Sequence, residues 1–481
     1  MLCRLKKDTF IRRYGEIAYI CNLGNRKDLV FDSFGSVFLS VLSKELKSFD
    51  SIAASVAALY VNVDILRIEK DLNDFLVLLE QQGYIVCGES VEELNQKENK
   101  DIVGGGIAGK HSVNYVPVIK KSVLPTQHFL RQYFHKNPYL VSVQIEVSNM
   151  CNERCIHCYI PHSLKIKNMD VGLFKNIIQQ CHNLGVLTIV LTGGEPMVHP
   201  EFIDFLNILK RYDFEVKVLS NLTCLNEGII KALKNVSCSG VQVSLYSMDA
   251  KIHDLITGKK GSFDMTVASI MQLREAGIPV QISCVVMREN RDSYKELISW
   301  ADGLGISVTL DYILMGRYDG TTSNLEHRLT SKEVESIIRD VIDNNTDYRD
   351  EILKADLDSL SHSDENNDAI CNVCRSTIGI AADGNVYPCV GWQGNVLGNL
   401  NESSLRDIWF GSSKVCQLRQ LEKKDFPKCA QCDSKAFCSM CLVRNANEND
   451  GDYMKISGYT CDVAKLNRRI VLEYRMMSGI T

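Results

Sequence analysis

The feature that most constrains the fold is an alternation of strand-like and helical segments between residue 140 and about residue 315. Short apolar runs predict six strands, at 141–147, 188–192, 215–219, 240–245, 280–287 and 307–313. Helical spacing occurs between them, as at 172–183, 200–211, 226–235, 266–276 and 293–304. This α/β alternation predicts a parallel sheet of βαβ units, and six units fit a partial (β/α)6 TIM-like barrel. Right-handed crossovers gather the carboxyl ends of such strands on one rim, where these barrels carry their chemistry.

The loop after the first predicted strand holds three cysteines, Cys151, Cys155 and Cys158, with the spacing C-x3-C-x2-C. Iron-sulfur clusters are normally held by four cysteine thiolates. Three thiolates on one short loop can therefore hold an iron-sulfur cube whose fourth iron is left for a substrate or a cofactor.

The segment Gly193-Gly194-Glu195-Pro196 follows the second predicted strand, and Asn221 and Ser244 end the third and the fourth. All of them are expected on the same rim as the three cysteines. The cysteine spacing followed by this Gly-Gly-Glu-Pro segment resembles the radical S-adenosylmethionine (radical SAM) enzymes. A zinc site made of the last two cysteines and His162 is the alternative, but it gives the Gly-Gly-Glu-Pro segment no role.

The resemblance implies that Cys151, Cys155 and Cys158 ligate a 4Fe-4S cluster, and that SAM chelates its open iron through amino and carboxylate groups. It assigns Glu195 and the backbone of the segment from Gly193 to Pro196 to the methionine ammonium, because glycine lets a main chain approach closely. It implies a 5'-deoxyadenosyl radical that removes a hydrogen atom from the substrate. No catalytic residue beyond the cluster and the cofactor is identified.

Four further side chains are implied to contact SAM. His157 or Tyr159 is expected to pack against the adenine, and Asn221 and Ser244 to contact the ribose or the carboxylate. Many radical SAM enzymes have an arginine near the position where this chain has Leu255-Ile256-Thr257. The contact to the SAM carboxylate is therefore not assigned.

A second set of cysteines lies in the last hundred residues: Cys371, Cys374, Cys389, Cys429, Cys432, Cys438, Cys441 and Cys461. From Cys374 the spacing C-x9-G-x4-C, then C-x2-C-x5-C-x2-C and a last cysteine, resembles the auxiliary-cluster (SPASM) domain of sulfatase and peptide maturases. The final spacing is one residue shorter than is usual in that family. A zinc ribbon or a double zinc site from the same C-x2-C pairs is the alternative.

The resemblance implies two auxiliary 4Fe-4S clusters, and so three clusters in all. The expected ligands are Cys371, Cys374, Cys389 and Cys441 for the first, and Cys429, Cys432, Cys438 and Cys461 for the second. Because Cys371 is expected to supply a fourth ligand, both auxiliary clusters are predicted to be saturated and to relay electrons.

Residues 1–88 have a pattern of their own, with strands predicted at 17–21 and 29–31 and helices at 36–46, 52–60 and 65–82. Asp64 favours the start of the last helix and Gly83 its end. This pattern predicts a winged-helix-like domain, but 11 basic and 12 acidic residues over positions 1–90 exclude the basic footprint that DNA binding needs. It resembles the leader-recognition domain of peptide-modifying systems, in which a strand edge pairs with the precursor's leader. A purely structural appendage is the alternative.

The remaining boundaries follow from composition. Residues 89–139, with their run of three glycines, are predicted to be a linker, 140–315 the partial barrel, 316–369 a bridge with a helix at 331–343, and 370–481 the SPASM domain. The net charge of -5 gives no reason to expect nucleic acid. Since no apolar run reaches the length of a signal peptide or a membrane span, a cytoplasmic protein without membrane contact is expected.

The cysteines outside these two sets are expected to be core residues, because free cysteine is among the most buried residue types. They are Cys3, Cys21, Cys87, Cys181, Cys224, Cys238, Cys284 and Cys416. Cys224 lies near the active rim, so a catalytic thiol is the alternative there. Trp392 is expected to pack.

Three classes of function remain. The leading one is a radical SAM oxidoreductase that modifies a ribosomally made precursor peptide (RiPP biosynthesis), forming an intramolecular thioether or carbon-carbon cross-link. Its partners are the precursor, bound through its leader at the N-terminal domain, and a small reductant such as flavodoxin or ferredoxin. The second is formylglycine generation on a protein, as in sulfatase maturation. The third is a non-catalytic iron-sulfur scaffold or redox sensor.

Overall fold

The computed structural model describes residues 1–25, 27–61, 64–104, 113–114, 125–355, 357 and 369–479. Parts of the predicted linker, at 105–112 and 115–124, and of the predicted bridge, at 356 and 358–368, lie outside the described residues. Within the described part of the chain, no helix is both long and apolar enough to cross a membrane.

The described part of the first 88 residues folds into two three-stranded antiparallel sheets and three helices. The elements are β1 Leu2–Leu5, β2 Thr9–Tyr14, β3 Ile17–Asn22, β4 Lys27–Phe31, α1 Ser33–Ser40, β5 Lys47–Ser48, α2 Phe49–Ala57, α3 Ile65–Gln81 and β6 Ile85–Gly88. The sheet orders are β5-β1-β6 and β2-β3-β4. A shared core that includes Ile20, Leu39 and Leu72 packs the helices against the strands.

Two of the three helices begin earlier than predicted, because capping side chains set their starts. Asp32 accepts hydrogen bonds from Phe34 N and Gly35 N at the start of α1, and Ser48 accepts one from Ser51 N in α2. Asp64 caps α3 as predicted, accepting from Leu66 N. The strands β1, β2, β5 and β6 were not predicted.

The segment predicted as a linker contains regular structure, namely α4 Val91–Gly104, β7 Val113–Asn114 and α5 Pro125–Lys136. Strand β7 pairs in parallel with Val308 and Thr309, at the last strand of the barrel. Residues 89–139 are thus built partly into the fold. The domain division itself stays a prediction.

The six predicted strands of the barrel are present, and each pairs in parallel with its successor. They are β8 Ser142–Ser148, β9 Thr188–Gly193, β10 Glu215–Ser220, β11 Cys238–Ser244, β12 Val280–Val285 and β13 Ser307–Asp311. The helices between them are α6 Val171–Asn183, α7 Phe202–Leu209, α8 Glu227–Asn235, α9 Ala250–Thr257, α10 Ser262–Glu275 and α11 Tyr294–Gly303. The prediction of an α/β fold with a partial barrel is confirmed.

The C-terminal part continues the same sheet. Its elements are α12 Ser331–Asn344, α13 Thr346–Lys354, β14 Thr377–Ile380, β15 Asn385–Tyr387, β16 Gly398–Asn399, α14 Leu405–Gly411, α15 Ser413–Gln420, α16 Pro427–Ala430, α17 Leu442–Glu448 and α18 Gly458–Met477. Strand β14 pairs in parallel with β8, and β15 and β16 follow it antiparallel. The cysteine-rich region is therefore joined to the barrel at the strand that precedes the first cysteine loop.

The N-terminal unit packs at the amino ends of the barrel strands, opposite the rim. Arg12 of β2 donates to the carbonyl oxygens of Val186 and Asp213, which precede β9 and β10. Lys44 pairs with the Asp213 carboxylate at 2.7 Å. Phe10 packs on Leu187 in a small apolar cluster. The first 88 residues and the cysteine loop thus lie at opposite ends of the barrel.

Candidate active site

The loop that carries the three cysteines is held by α9 through its backbone. Arg154 N donates to the Thr257 carbonyl (2.8 Å), and Ile156 N donates to the Ile256 carbonyl (3.0 Å). Gly258 has a left-handed φ of +64°, and a Cβ there would lie 2.8 Å from the Arg154 carbonyl oxygen. The stretch in which the family's arginine is missing therefore positions the cysteine loop through main-chain atoms.

Gly193 and Gly194 let the second loop lie directly against the first. Gly193 has a φ of +152°, and a Cβ on it would lie 1.9 Å from the Ser148 carbonyl oxygen. A Cβ on Gly194 would lie 2.5 Å from the Met150 carbonyl oxygen, which accepts a hydrogen bond from Glu195 N (2.9 Å). The close approach that requires glycine is thus between the two loops themselves.

Glu195 links the ends of β9 and β10. Its carboxylate is fully buried and accepts hydrogen bonds from Ser220 Oγ (2.8 Å), Met197 N (2.9 Å) and Asn221 N (2.6 Å). Burial raises the pKa of Glu195 to about 7, against the effect of these donors. Asn221 Nδ2 in turn donates to Asn152 Oδ1 (2.9 Å) in the cysteine loop. Glu195 and Asn221 therefore connect the ends of β9 and β10 to the cysteine loop by hydrogen bonds.

Two charged side chains at the rim were not predicted from the sequence. Glu153, between the first two cysteines, is 3% exposed, and burial raises the pKa of its carboxyl to about 7. Lys259 Nζ lies 3.3 Å from Thr223 Oγ1, and its charge acts on both Glu153 and Glu195. Lys259 lies one residue beyond Gly258, just past the segment in which the arginine of other radical SAM enzymes was expected.

His157 faces Tyr246 rather than standing alone. Its Nε2 lies 3.2 Å from the Tyr246 hydroxyl, and the two rings meet edge to face at 5.0 Å. Burial lowers the pKa of His157 to about 4. The Ser244 side chain, at the end of β11, lies close enough to lower the pKa of the Tyr246 hydroxyl, against the effect of burial. The predicted residues His157 and Ser244 are thus both neighbours of a tyrosine that the sequence did not single out.

Tyr159 is half-buried and lies between the two cysteine sets. Its carbonyl accepts from Tyr318 N (3.1 Å), and the charges of Cys158, Cys389 and Glu146 all act on its hydroxyl. Glu146 is 1% exposed, and burial raises its pKa to about 7. Of the two predicted adenine contacts, only His157 has Tyr246 as a neighbour at the rim.

A cavity of about 310 Å³ opens beside Glu146. Its lining comes from the chain after the cysteine loop and from the C-terminal strands, and includes Lys167, Tyr318, Asp383 and Gln393. Gln393 Nε2 donates to Glu146 Oε2 (3.1 Å). This cavity between the barrel and the C-terminal region was not predicted.

The C-terminal cysteines fall into two groups of neighbours. Cys371 lies close enough for its charge to interact with those of Cys441 and Cys389, and Cys374 with that of Cys371. The second group contains Cys429, Cys432 and Cys461. Cys438 follows a 3₁₀ turn at Lys435–Phe437. These neighbours parallel the predicted pairing, and the assignment of ligands stays a prediction.

Other predicted positions are also located. Trp392 is 2% exposed and packs edge to face on Tyr453 at 5.3 Å, as predicted. Cys224 Sγ accepts from Asn152 Nδ2 (3.1 Å), and burial raises the pKa of its thiol. Among the described residues, no three His, Cys, Asp or Glu side chains converge closely enough to hold a single metal ion.

The residues at the rim fit a bound group of high polarity. Among the described side chains, Glu153 Oε1 and His157 Nδ1 are buried polar atoms without a hydrogen-bond partner. A buried polar atom normally has a partner, so each one needs an explanation such as a ligand. Glu153 and His157 lie in the loop between the three cysteines, whose charges act on one another. The donor set of three thiolates suits an iron-sulfur cluster.

Comparison with known families agrees with this geometry. Residues 145–301 match the family profile of the radical SAM superfamily, and residues 371–433 match that of the SPASM iron-sulfur cluster-binding domain. The chain therefore contains a radical SAM domain followed by a SPASM domain. The two matched regions contain the first cysteine loop and the beginning of the second cysteine set.

Several relatives share most of this radical SAM chain. AdoMet-dependent heme synthase of Methanosarcina barkeri is 25% identical over 332 residues, which are 65% of this chain and 94% of that protein. The antilisterial bacteriocin subtilosin biosynthesis protein AlbA of Bacillus subtilis is 27% identical over 318 residues, 65% of this chain and 69% of that protein. Streptococcus suis SuiB bound to precursor peptide SuiA has a TM-score of 0.61 at 14% identity, covering 95% of this chain and 99% of that one.

Proposed function

We propose that this radical SAM enzyme modifies a ribosomally made precursor peptide, forming an intramolecular thioether or carbon-carbon cross-link. The observation that carries the proposal is the extent of the structural match to SuiB, which was solved with a precursor peptide and aligns with 95% of this chain. AlbA, a relative named for bacteriocin biosynthesis, is 27% identical over 65% of this chain and supports the same proposal.

The side chains at the rim indicate which cofactors the enzyme binds. We assign Cys151, Cys155 and Cys158 to a 4Fe-4S cluster that binds SAM, which supplies a 5'-deoxyadenosyl radical that removes a hydrogen atom from the peptide. Lys259 is the cation nearest the buried carboxylates of the rim, so we assign it to the SAM carboxylate in place of the missing arginine. His157, held by Tyr246, excludes water beside the adenine.

The auxiliary clusters belong to the C-terminal region. We assign Cys371, Cys374, Cys389 and Cys441 to one 4Fe-4S cluster, and Cys429, Cys432, Cys438 and Cys461 to the other. The interaction of Cys371 with Cys389 and Cys441 supports its place as a fourth ligand. Two saturated clusters held by these cysteines would relay electrons from a small reductant such as flavodoxin or ferredoxin. A Cys371→Ala variant with full cluster spectra and turnover would count against this assignment.

The leader is proposed to add a strand to the outer edge of β4, which pairs only with β3 among the described residues. Strand β2, at the other edge of that sheet, directs Arg12 into the barrel. Beside β4, Phe31 stacks edge-on against Phe75 of α3 at 5.2 Å, and Leu78, one turn further along α3, is 40% exposed. A strand edge supplies main-chain hydrogen bonds, and adjacent apolar side chains supply specificity.

Leader binding is tested with a fluorescent leader peptide and fluorescence anisotropy. Leu78→Glu is expected to weaken binding at least tenfold, because it places a charge on the apolar wall beside β4. Leu66→Glu is the matched control, since Leu66 is 71% exposed on the same helix but three turns earlier. Equal losses in both variants would contradict the assignment of this edge.

The modification itself is tested by mass spectrometry of a short peptide encoded beside this gene and co-expressed anaerobically with the enzyme. Loss of two hydrogens within the core is expected, and fragmentation then identifies the linked residues. An unchanged mass in the peptide, together with activity after deletion of residues 1–88, would favour formylglycine generation on a protein. Failure of the reduced protein to cleave SAM would favour the non-catalytic scaffold.

A further inference from the structure

The cavity beside Glu146 contains a carboxylate that the protein leaves without a cation. Glu146 is 1% exposed on β8, and among the described residues its hydrogen-bond partner is the neutral amide of Gln393. Within the same described residues it has no ion-pair partner. Burying a carboxylate without a cation is costly, so such groups are normally paired or ligand-bound.

The charges around the cavity strengthen this point. Glu146, Asp319 and Asp383 face one basic residue in the lining, Lys167. Lys167 already pairs with Asp383 at 2.8 Å, and Asp319 accepts hydrogen bonds from Thr321. The lining therefore carries a formal charge of -2, three acids against one base, and Glu146 is its deepest group.

The position of the cavity links it to the chemistry. Its wall includes Tyr318, whose backbone N donates to Tyr159, the residue after Cys158. On the other side, Gln393 lies four residues after Cys389. A ligand here lies between the two cysteine sets. A volume of about 310 Å³ is at the lower end of the range for small-molecule sites, which suits one side chain rather than a whole cofactor.

We propose that this cavity is a substrate subsite in which Glu146 binds a basic side chain, a lysine ammonium or an arginine guanidinium, of the peptide. The assignment rests on the proposed function in taking the ligand to be part of a peptide. Glu146 acts as a specificity residue, and Gln393 holds its carboxylate in place. Burial raises the pKa of Glu146, because no cation among the described residues offsets the desolvation of its carboxylate.

The test uses small probes, so that it does not depend on knowing the precursor. N-acetyl-lysine amide and N-acetyl-norleucine amide have the same chain length, but only the first has an ammonium group. Their binding to the anaerobic holoenzyme with SAM is measured by saturation-transfer NMR. The lysine probe is expected to bind at least tenfold more tightly, and Glu146→Gln to abolish that preference.

Control variants and outcomes separate the subsite from the proposed function. Glu146→Asp keeps the charge and is expected to retain a lysine preference, and thermal unfolding of each variant shows whether it is folded. Equal binding of the two probes, no detectable binding of the lysine probe, or an unchanged preference in Glu146→Gln overturns the subsite. Tighter binding of a tyrosine amide probe than of the lysine probe also overturns the subsite. None of these outcomes affects the test of peptide cross-linking by mass.

A separate observation lies in the N-terminal unit, where Cys3 and Cys87 are directly opposite each other on β1 and β6. Their Sγ atoms are 2.8 Å apart, and the two residues are 1% and 5% exposed. From the sequence, both were expected to be core cysteines because they lack ligand spacing, and they are 84 positions apart in the chain. A hydrogen bond from the Cys87 thiol lowers the pKa of Cys3, which favours its thiolate, the nucleophile in disulfide formation.

We infer that Cys3 and Cys87 form a reversible disulfide when the protein meets an oxidised low-molecular-weight disulfide. In this exchange the Cys3 thiolate attacks oxidised glutathione and releases one glutathione thiolate. The Cys87 thiol then loses its proton, attacks the mixed disulfide and releases the second. The two cysteines are oxidised and one glutathione disulfide is reduced to two thiols. The bond closes a long loop and constrains the sheet β5-β1-β6.

The pair is tested on the full-length protein treated with oxidised glutathione, quenched with acid, unfolded and alkylated. Mass spectrometry of the digest is expected to show a peptide linked through Cys3 and Cys87, which dithiothreitol removes. Cys181, 0% exposed in the barrel, is the internal control and is expected to be alkylated. Complete alkylation of both Cys3 and Cys87 overturns the inference, as does an equal yield of linked peptide through Cys181.

Discussion

The first cysteine loop and the C-terminal cysteine set differ in how their ligands are brought together. The first set spans eight residues, 151–158, in the loop that follows β8. Helix α9 fixes that loop through two main-chain hydrogen bonds. The second set extends from Cys371 to Cys461 across strands, helices and turns. A local loop therefore defines the first site, whereas the packing of the whole C-terminal region defines the second.

The surroundings of one ligand illustrate the second kind of site. Cys374 has a φ of +57°, which is unusual for a residue with a side chain, and its carbonyl accepts from Arg419 Nε (2.7 Å). Arg419 lies over the Trp409 ring at 4.7 Å. The position of Cys374 thus depends on a helix more than forty residues away. Spacing specifies the chemistry of both sites, but the geometry of the second depends on distant packing.

The largest expected difference between the two sites is in SAM cleavage. Cys155→Ser is expected to abolish formation of 5'-deoxyadenosine with dithionite, because it removes a ligand of the cluster assigned to SAM. Cys374→Ser is expected to retain SAM cleavage but to lose the cross-linked product. Chromatography of 5'-deoxyadenosine, iron content and peptide mass measure these effects. Cys181→Ser, in the barrel core, is the control. Loss of SAM cleavage in Cys374→Ser would contradict the prediction, because it would show that cleavage at the first site requires the second.

The second prediction concerns the contact between the two rim loops. Gly193→Ala is expected to destabilise the protein by more than about 4 kcal/mol, because its Cβ would overlap the Ser148 carbonyl at a left-handed φ. Gly185→Ala is the matched control, since Gly185 also has a positive φ but nothing lies within 4 Å of an added Cβ. About 1 kcal/mol is expected there. Denaturant unfolding measures both, and equal losses would show that the close approach is not needed.

The third prediction tests the cation of the first site. Lys259→Met is expected to raise the Kd for SAM about tenfold, or about 1.4 kcal/mol, because the SAM carboxylate loses its counter-charge. Lys260→Met is the matched control, since Lys260 is exposed next to it. Isothermal titration of the anaerobic enzyme with SAM measures the Kd. Equal affinities in wild type and Lys259→Met would remove Lys259 from the SAM site.

The same contrast explains how much the sequence predicted. The six barrel strands, the rim and both cysteine sets were predicted, because strand alternation and ligand spacing are local properties. Pairing of β14 with β8 was not predicted, since it joins segments more than two hundred residues apart. The roles of Glu153 and Lys259 were also missed. A single acid or base has no local signal, and its burial depends on which loops the fold places around it.

The reason for the glycines at the rim was predicted only in part. Close main-chain approach was expected at Gly193 and Gly194, but toward the cofactor. The structure places Ser148 and Met150 there. A glycine indicates that something approaches closely, but the sequence does not identify what approaches.

The fourth prediction tests Glu146, which lies between the two cysteine sets, through the pH dependence of stability. Burial raises its folded-state pKa from 4.5 to about 7. Between those values the unfolded state ionises first, so stability falls as pH rises, by about 3 kcal/mol for this group. Glu146→Gln is expected to remove this contribution to the fall in stability with rising pH. Glu215→Gln is the control, because Lys217 lies 2.9 Å from that buried carboxylate. Denaturant unfolding at pH 5 and pH 8 measures the difference, and an unchanged slope in Glu146→Gln would show that a counter-charge already reaches Glu146 in the folded protein.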